Sequence, residues 1–378
     1  MKTRYDAIIV GGGVNGGAIA FNLAKRGLKV LLLEKGLLAN KASGAAAGML
    51  GAQAELDAEG PLFHLARTSR AMFSRLSDEL KMISGVDIGL MNKGMLRLSL
   101  TDREHVEHCK ISKIHKQNGE AAELLTGDEA RKREPALSKE IRGAMYLEND
   151  GQVEAPKLAM AFLKAASALG TVVKEYVEVH SFYFSNERIT GVATNDGDFM
   201  ADNVVITGGA WSEKLLKHTG IHLDTQPVKG ECFSVLAETP LLSSTIFTDD
   251  CYLVPKRGGR IIVGATVLPN TFNEQVTVEG LSFLMEKAKK LVPSISQCEW
   301  ESAWSGIRPH TADGLPYIGE HPAYKGLFIA TGHFRNGILL SPITGEVMAD
   351  LIEAKTPSID ISPFRIERCM KKGNPIQR

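Results

Sequence analysis

Near the start of the chain, an apolar run at residues 7–10 leads directly into Gly11, Gly13 and Gly16, which have the spacing GxGxxG. Apolar residues then recur at helical spacing until Gly27. This pattern predicts a strand covered on both faces, then a glycine turn and a helix, as in a βαβ unit of a parallel sheet. The first part of the chain is therefore predicted to have an α/β fold.

A second strand is predicted at residues 29–33, completes the unit and ends at Glu34. In such units the first glycine permits a tight turn, the second lets the backbone approach a pyrophosphate, and the third packs the helix on the strand. The helix N-terminus then faces the anion, and a carboxylate about twenty residues further on accepts hydrogen bonds from a ribose. The segment predicts a dinucleotide site, and NAD and FAD both remain open.

Composition excludes several classes of protein. The chain has 378 residues, and its 44 Lys and Arg balance 44 Asp and Glu. A zero net charge without a basic patch argues against nucleic acid as a partner. We find no apolar run near the roughly 18 residues of a membrane span and no signal-peptide core, so we expect a cytoplasmic protein without a membrane partner. The five cysteines are scattered singly, which predicts free thiols.

Small residues fill positions 42–49, directly after the nucleotide-binding unit. Backbone with so little side-chain volume is used where a ligand or another segment must come close. We therefore expect a bulky cofactor against this stretch, and a tightly packed helix start is the alternative.

Helical and strand patterns alternate in the next part of the chain. The predicted elements are helices at residues 62–84 and 102–118 and short strands at 86–90 and 95–100. His105, His108 and Cys109 lie about one turn apart on the second helix. No metal-site signature accompanies them, so a solvated helix face is the preferred interpretation, and no metal is expected.

The later segments predict a second sheet and a return to the first. A strand that ends in glycines at residues 204–209 indicates re-entry into the first sheet. Residues 231–236, 251–255 and 260–265 have the pattern of antiparallel strands. Another strand, glycine turn and helix follow from residue 326 onward.

Six segments together resemble the flavin-dependent amino acid oxidases of the D-amino acid oxidase superfamily, and most closely its bacterial glycine oxidases of thiamine biosynthesis. These segments are residues 9–13, 43–55, 227–232, 251–255, 304–309 and 332–340. The resemblance covers essentially the whole chain. It implies an α/β fold (α+β overall) with a Rossmann-like FAD-binding domain and a second, mainly antiparallel-sheet substrate-binding domain. The implied FAD-binding domain comprises residues 1–85, 145–215 and 305–378, and the substrate-binding domain comprises 86–144 and 216–304.

The resemblance also implies three catalytic positions. Arg308 resembles the arginine that pairs with the substrate carboxylate, and Tyr252 resembles the hydroxyl that assists it. Arg335 resembles a second pocket residue, which contacts substrate and flavin. A planar guanidinium suits the first role because it binds a carboxylate through two parallel hydrogen bonds, which lysine cannot do.

The remaining implied positions line the cofactor site and the substrate pocket. The cofactor positions are Gly11, Gly13, Val14, Asn15, Gly16, Glu34, Lys35, Ala42, Ser43, Ala47, Gly48, Met49, Val177, Gly209, His333, Phe334, Arg335, Asn336, Gly337, Ile338 and Leu339. The pocket positions are Met49, Asp250 and Val267. Asp250 stands where histidine can occur and Val267 where methionine is common, so we expect both to change the size or polarity of the pocket.

The implied reaction is hydride transfer from the Cα of a small amine to flavin N5, which gives an imine that hydrolyses to an oxo acid, while oxygen is reduced to hydrogen peroxide. Glycine is the first expected substrate, followed by sarcosine, other small amines and D-amino acids, and a homotetramer is the implied assembly. A sarcosine oxidase with covalent flavin is disfavoured because no cysteine stands between Arg308 and Gly337, so noncovalent FAD is expected. An NAD-dependent dehydrogenase and a non-catalytic FAD-binding or tRNA-modifying subunit are two further interpretations of the glycine motif.

Overall fold

The computed structural model describes residues 4–56 and 59–372. Its strands are β1 (Arg4–Val10), β2 (Val30–Leu33), β3 (Met49–Leu50), β4 (Met95–Ser99), β5 (Glu123–Thr126), β6 (Gly143–Leu147), β7 (Gly151–Gln152), β8 (Val172–Lys174), β9 (Val179–Ser185), β10 (Arg188–Thr194), β11 (Gly197–Ile206), β12 (Thr225–Leu236), β13 (Thr245–Phe247), β14 (Tyr252–Pro255), β15 (Arg260–Gly264), β16 (Leu268–Pro269), β17 (Glu299–Thr311), β18 (Tyr317–Glu320) and β19 (Leu327–Thr331). Its α-helices are α1 (Val14–Lys25), α2 (Ala42–Ala45), α3 (Pro61–Ser84), α4 (Asp102–Gln117), α5 (Gly127–Arg133), α6 (Ala155–Ala168), α7 (Ser212–Leu216), α8 (Val278–Leu291) and α9 (Gly337–Ile352).

The first large sheet has the strand order β18-β19-β11-β1-β2-β8, and β10 and β9 extend from β11. Neighbouring strands from β19 to β8 are parallel, whereas β18 is antiparallel to β19. Strand β2 is wholly buried because apolar clusters cover both faces of the sheet. Helix α1 packs against α6 and α9 on one face. The predicted re-entry of the chain is confirmed, since β11 pairs with β1.

The second large sheet has the order β16-β12-β15-β14-β13-β4-β6-β5, and β17 also pairs with β12. All its pairs are antiparallel except β13 with β4. The long β12–β17 pair sets Val228 opposite Arg308 and Gly230 opposite Gly306. Its register therefore decides what lies beside the Arg308 side chain.

The predicted fold class, a Rossmann-like α/β unit with a second, mainly antiparallel sheet, is confirmed. The division into domains stays a prediction. Its boundary after residue 144 falls within β6, and its boundary after residue 304 falls within β17.

Two local predictions were wrong. Residues 86–90 form no strand, and only Met91 makes an isolated bridge, to Gln152. His108 of α4 is buried rather than solvated, and its Nδ1 lies 2.8 Å from Ser99 Oγ on β4. Among the described residues, no cluster of His, Cys, Asp and Glu is arranged to hold a metal ion. None of the helices described here combines the length and apolar character of a membrane span.

Candidate active site

A cavity of about 460 Å³ extends from the glycine turn between β1 and α1 to strands β12, β14 and β17 of the second sheet. This volume is typical of small-molecule sites. The cavity lies at the carboxyl ends of the parallel strands β1, β2 and β11, where open α/β sheets bind their ligands. Both large sheets therefore contribute to one site.

The glycine turn brings backbone close to the cavity. Gly11 has a φ of +120°, and a Cβ there would lie 2.7 Å from the carbonyl oxygen of Thr207. A Cβ on Gly16 would lie 2.0 Å from the carbonyl oxygen of Gly11. Ser43 Oγ accepts the N–H of Val14 at 2.9 Å and so fixes the start of α1. The positive end of this helix borders the cavity and suits a pyrophosphate.

The carboxylate of Glu34 is fixed at the edge of the same cavity. Its two oxygens accept the backbone N–H groups of Gly12 at 2.7 Å and Gly36 at 2.9 Å. Each carboxylate oxygen can accept more than one hydrogen bond, so ribose hydroxyls can be bound as well. The N–H of Val177 donates to the Glu34 carbonyl, which places Val177 at this end of the cavity.

The small residues at positions 42–49 both border the cofactor cavity and allow tight packing of the chain, the two possibilities that the sequence left open. Ala42, Ser43 and residues 45–49 line the cavity. Gly44 and Gly48 are also required by packing within the protein. A Cβ on Gly44 would lie 2.3 Å from the carbonyl oxygen of Ala39, and a Cβ on Gly48 would lie 2.0 Å from the carbonyl oxygen of Val153. Close packing of the chain on itself thus explains part of the glycine content.

The glycine turn, the N-terminus of α1 and the carboxylate of Glu34 fit FAD. A Cβ at Gly11 or Gly16 would collide with the backbone of Thr207 or Gly11, so the turn keeps this tight conformation beside the cavity only with glycine at both positions. The cavity then continues beyond the turn to Tyr252, Arg308 and Arg335, so a long dinucleotide can reach the second sheet. Helix α9 also borders this region with its N-terminus, at Gly337.

Tyr252 and Arg308 meet where β14 and β17 border the cavity. Arg308 Nη1 donates to the carbonyl oxygen of Thr266 at 3.2 Å. Tyr252 is only 8% exposed, and its hydroxyl lies 3.4 Å from Cys232 Sγ. Burial raises the pKa of Tyr252 well above its usual value, so this hydroxyl stays protonated. The pair offers a fork of cationic donors and one neutral hydroxyl to a carboxylate.

Arg335 lies in the turn before α9 and pairs with a buried carboxylate. Its Nε lies 2.8 Å from Oε2 of Glu55, which raises the pKa of Arg335 further. Its guanidinium lies 5.8 Å from the ring centre of Phe247. Nearby His333 is buried, and burial lowers its pKa to about 3, so the imidazole is neutral. Its Nε2 lies 3.1 Å from the hydroxyl oxygen of Thr344.

Most of the implied site residues line this one cavity. Those that do are Gly11, Gly13, Val14, Asn15, Glu34, Lys35, Ala42, Ser43, Ala47, Gly48, Met49, Val177, Gly209, Tyr252, Arg308, His333, Phe334, Arg335, Gly337 and Ile338. Gly16, Asn336 and Leu339 are not among its lining residues, and Leu339 is buried in the core on α9.

The two implied pocket residues Asp250 and Val267 are not brought into the cavity. Asp250 is exposed in the turn before β14, where it pairs with Lys287 of α8 at 2.6 Å. Val267 lies between β15 and β16 and is 56% exposed. In this structure their side chains cannot set the size of the pocket directly.

Several cavity residues received no individual role from the sequence. Glu55, Gly230 and Cys232 line the cavity and lie inside segments that carried the resemblance. Trp211 lies at the other end, with Lys35 Nζ 4.9 Å from the centre of its ring. Membership in one of the six segments was the available signal, but it does not say which side chain points inward.

The comparisons with known proteins agree with this site. The family model described as FAD dependent oxidoreductase (DAO) matches residues 6–351. The chain belongs to this family of FAD-dependent oxidoreductases, and FAD is accordingly its cofactor.

Among curated relatives, glycine oxidase of Geobacillus kaustophilus is 47% identical over 98% of this chain and 99% of that protein. Glycine oxidase of Bacillus subtilis is 37% identical over 97% of this chain and 98% of that protein. A bifunctional ThiO/ThiG protein of Synechocystis is 33% identical over 99% of this chain and 56% of its own length. The crystal structure of the Geobacillus kaustophilus glycine oxidase superposes with a TM-score of 0.95 and covers 97% of this chain and 99% of that chain, at 47% identity.

Proposed function

We propose that this protein is an FAD-dependent oxidase that converts glycine, oxygen and water into glyoxylate, ammonia and hydrogen peroxide. The observation that carries the proposal is the grouping of Arg308, Tyr252 and Arg335 at one end of the cofactor cavity. Two curated relatives that cover nearly the whole chain, at 47% and 37% identity, are glycine oxidases, which supports the same substrate. FAD held in this cavity would supply the electron chemistry, with a hydride passing to it from carbon and the electrons then passing to oxygen.

Arg308 binds and orients the substrate carboxylate in this proposal. Its guanidinium lies in the cavity, and its contact with the Thr266 carbonyl holds the side chain in place. The protonated hydroxyl of Tyr252 donates a further hydrogen bond to the carboxylate. Fixing the carboxylate in this way presents the α-carbon in one orientation, and orientation is a large part of the rate enhancement.

No side chain of the site is needed as a general base. The pKa of Tyr252 is raised by burial and that of His333 is lowered to about 3, so neither group exchanges a proton near neutral pH. The substrate amine itself must lose its proton before the hydride leaves the α-carbon, because the nitrogen lone pair stabilises the developing iminium. The imine product is what a thiazole-forming step of thiamine biosynthesis would consume.

The proposal includes a noncovalent cofactor, a cytoplasmic location and a homotetramer. No cysteine stands between Arg308 and Gly337, and Cys232, the cysteine that lines the cavity, lies against Tyr252. The homotetramer is proposed from the resemblance to glycine oxidases. Light scattering on a size-exclusion column tests the assembly.

The decisive experiment is anaerobic addition of glycine to the purified yellow protein. We expect the flavin absorption to bleach and to return with air, with release of hydrogen peroxide. Bleaching by sarcosine or a D-amino acid but not by glycine would contradict the assigned substrate and keep the reaction class. A colourless protein that takes up no added FAD would contradict the proposal as a whole.

A further inference from the structure

Among the residues that the structure describes, the substrate end of the cavity combines a partly buried ion pair with one further cation. Arg308 and Arg335 both line this end, and their positive charges both act on the Tyr252 hydroxyl. Glu55 also lines the cavity, is only 7% exposed at its side chain, and pairs with Arg335 at 2.8 Å. The sum of these three charges is therefore one positive charge.

The other charged residues of the cavity belong to the opposite, glycine-turn end. Lys35 and Lys41 lie over the Trp211 ring, and Lys214 follows Trp211 by one helical turn. Glu34 contacts the glycine turn, and Glu178 and His180 follow Val177, which bonds to Glu34. These groups face the nucleotide end and do not offset Arg308.

Glu55 is held in place by a buried support. The carboxylate of Asp150 accepts the N–H groups of Gln53 and Ala54, at 3.1 Å and 2.8 Å. Asp150 is fully buried and pairs with Arg70 at 2.6 Å. The N–H of Glu55 also donates to the Gly51 carbonyl at 3.2 Å. The turn that carries Glu55 thus has a fixed backbone, and the Glu55 carboxylate that it carries lies 2.8 Å from Arg335.

We propose that Glu55 is a specificity-determining residue that limits the pocket to amines with a single carboxylate. The Glu55 carboxylate forms an ion pair with the guanidinium of Arg335 and places a negative charge beside it. A second anionic group on the substrate is therefore repelled by Glu55 rather than bound by Arg335. Glycine and sarcosine each carry one carboxylate and match Arg308 alone. Amines with two carboxylates, such as iminodiacetate, are excluded. This inference rests on the proposed function and adds its substrate limit.

The test uses Glu55→Gln in the FAD-loaded protein, because glutamine keeps the shape and removes the charge. Binding of acetate, malonate and succinate is followed by the change in flavin absorption, which needs no turnover. We expect the ratio of dicarboxylate affinity to acetate affinity to be roughly tenfold or more higher in Glu55→Gln than in the wild type. The ratio of kcat/KM for iminodiacetate to that for glycine is expected to rise in the same direction.

Glu59→Gln is the matched control, since it removes a negative charge from an exposed side chain four residues away. An equal change in this control would overturn the proposal, because a general field effect would then explain it. A yellow, folded Glu55→Gln protein with an unchanged dicarboxylate preference would overturn it too.

A second variant keeps the test decisive if Glu55→Gln does not fold. In Arg335→Met the Glu55 carboxylate loses its partner, so we expect stronger discrimination against malonate relative to acetate. Weaker discrimination would contradict the assigned role of Glu55. A wild-type protein that binds acetate but is not bleached by glycine would refute the proposed function alone, since the binding comparisons remain valid without turnover.

Discussion

Gly230 of β12 lies directly against the guanidinium of Arg308. A Cβ at position 230 would be 2.1 Å from Nη2 and 2.4 Å from Cζ of that side chain. The β12–β17 register explains the contact, because Arg308 faces Val228 and its side chain extends along the sheet over the next position on the same face. Glycine at position 230 is therefore a steric requirement of the candidate carboxylate site.

Gly230→Ala is expected to displace the Arg308 guanidinium. Overpacking of this kind costs about 1 to 3 kcal/mol, so we expect the KM for glycine to rise roughly ten- to a hundredfold while FAD stays bound. Steady-state kinetics and the flavin spectrum measure the two properties. Gly60→Ala is the control, because a Cβ there meets nothing within 4 Å. A wild-type KM in Gly230→Ala would show that Arg308 does not need its present position.

Arg308→Gln tests the candidate carboxylate ligand itself. Hydrogen bonds to charged groups contribute about 1.5 to 3 kcal/mol each, so loss of a two-bond fork should lower kcat/KM for glycine by roughly a hundredfold or more. Arg308→Lys keeps the positive charge but cannot form the two parallel hydrogen bonds, so its kcat/KM should lie between that of the wild type and that of Arg308→Gln. Arg260→Gln, which removes an exposed arginine of the same sheet paired with Glu301, should change little. Similar losses in Arg260→Gln and Arg308→Gln would contradict the assignment.

The dependence of kcat/KM on pH should report the substrate amine. Tyr252 stays protonated because burial raises its pKa well above 10, and His333 stays neutral because its pKa is about 3. Neither titrates between about pH 6 and about pH 9, so kcat/KM should rise with pH as the glycine ammonium loses its proton. Tyr252→Phe should lower kcat/KM and leave the slope unchanged. A flat profile would refute the neutral-amine mechanism, and an inflection lost in Tyr252→Phe would assign the titration to the tyrosine instead.

The nucleotide end of the site could be predicted from the sequence because its determinants are local. Gly11, Gly16 and Glu34 act within one βαβ unit, and the spacing along the chain already implies their arrangement. The path back into the first sheet could also be predicted, because the apolar run of β11 ends in glycines like β1.

The substrate end depended on contacts between distant segments, which spacing does not encode. Glu55 and Arg335 are 280 positions apart, and only the folded chain makes them partners. Asp250 shows the converse case, because the resemblance implied a pocket role and the structure places its side chain outside the cavity. The turn before β14 directs it to Lys287 of α8 instead.

His321 gives a prediction about acid stability that is independent of the site. It is 3% exposed, and its Nδ1 accepts the N–H groups of Ala323 and Tyr324 at 3.1 and 3.2 Å. Burial lowers its pKa to about 4. The unfolded chain therefore binds more protons than the folded chain between about pH 6.5 and pH 4, and the contribution to stability falls as the pH falls through this window.

His321→Asn should remove this acid sensitivity, because the amide oxygen can accept the same two N–H groups without becoming charged. Between pH 7 and pH 5 we expect the wild type to lose about 2 kcal/mol of unfolding free energy more than His321→Asn loses. Urea unfolding at both pH values measures the difference, and any packing loss in the variant cancels because each protein is compared with itself. His64→Asn, at an exposed histidine, should behave as the wild type does. Equal losses in wild type and His321→Asn would mean that His321 is not held neutral in the folded protein.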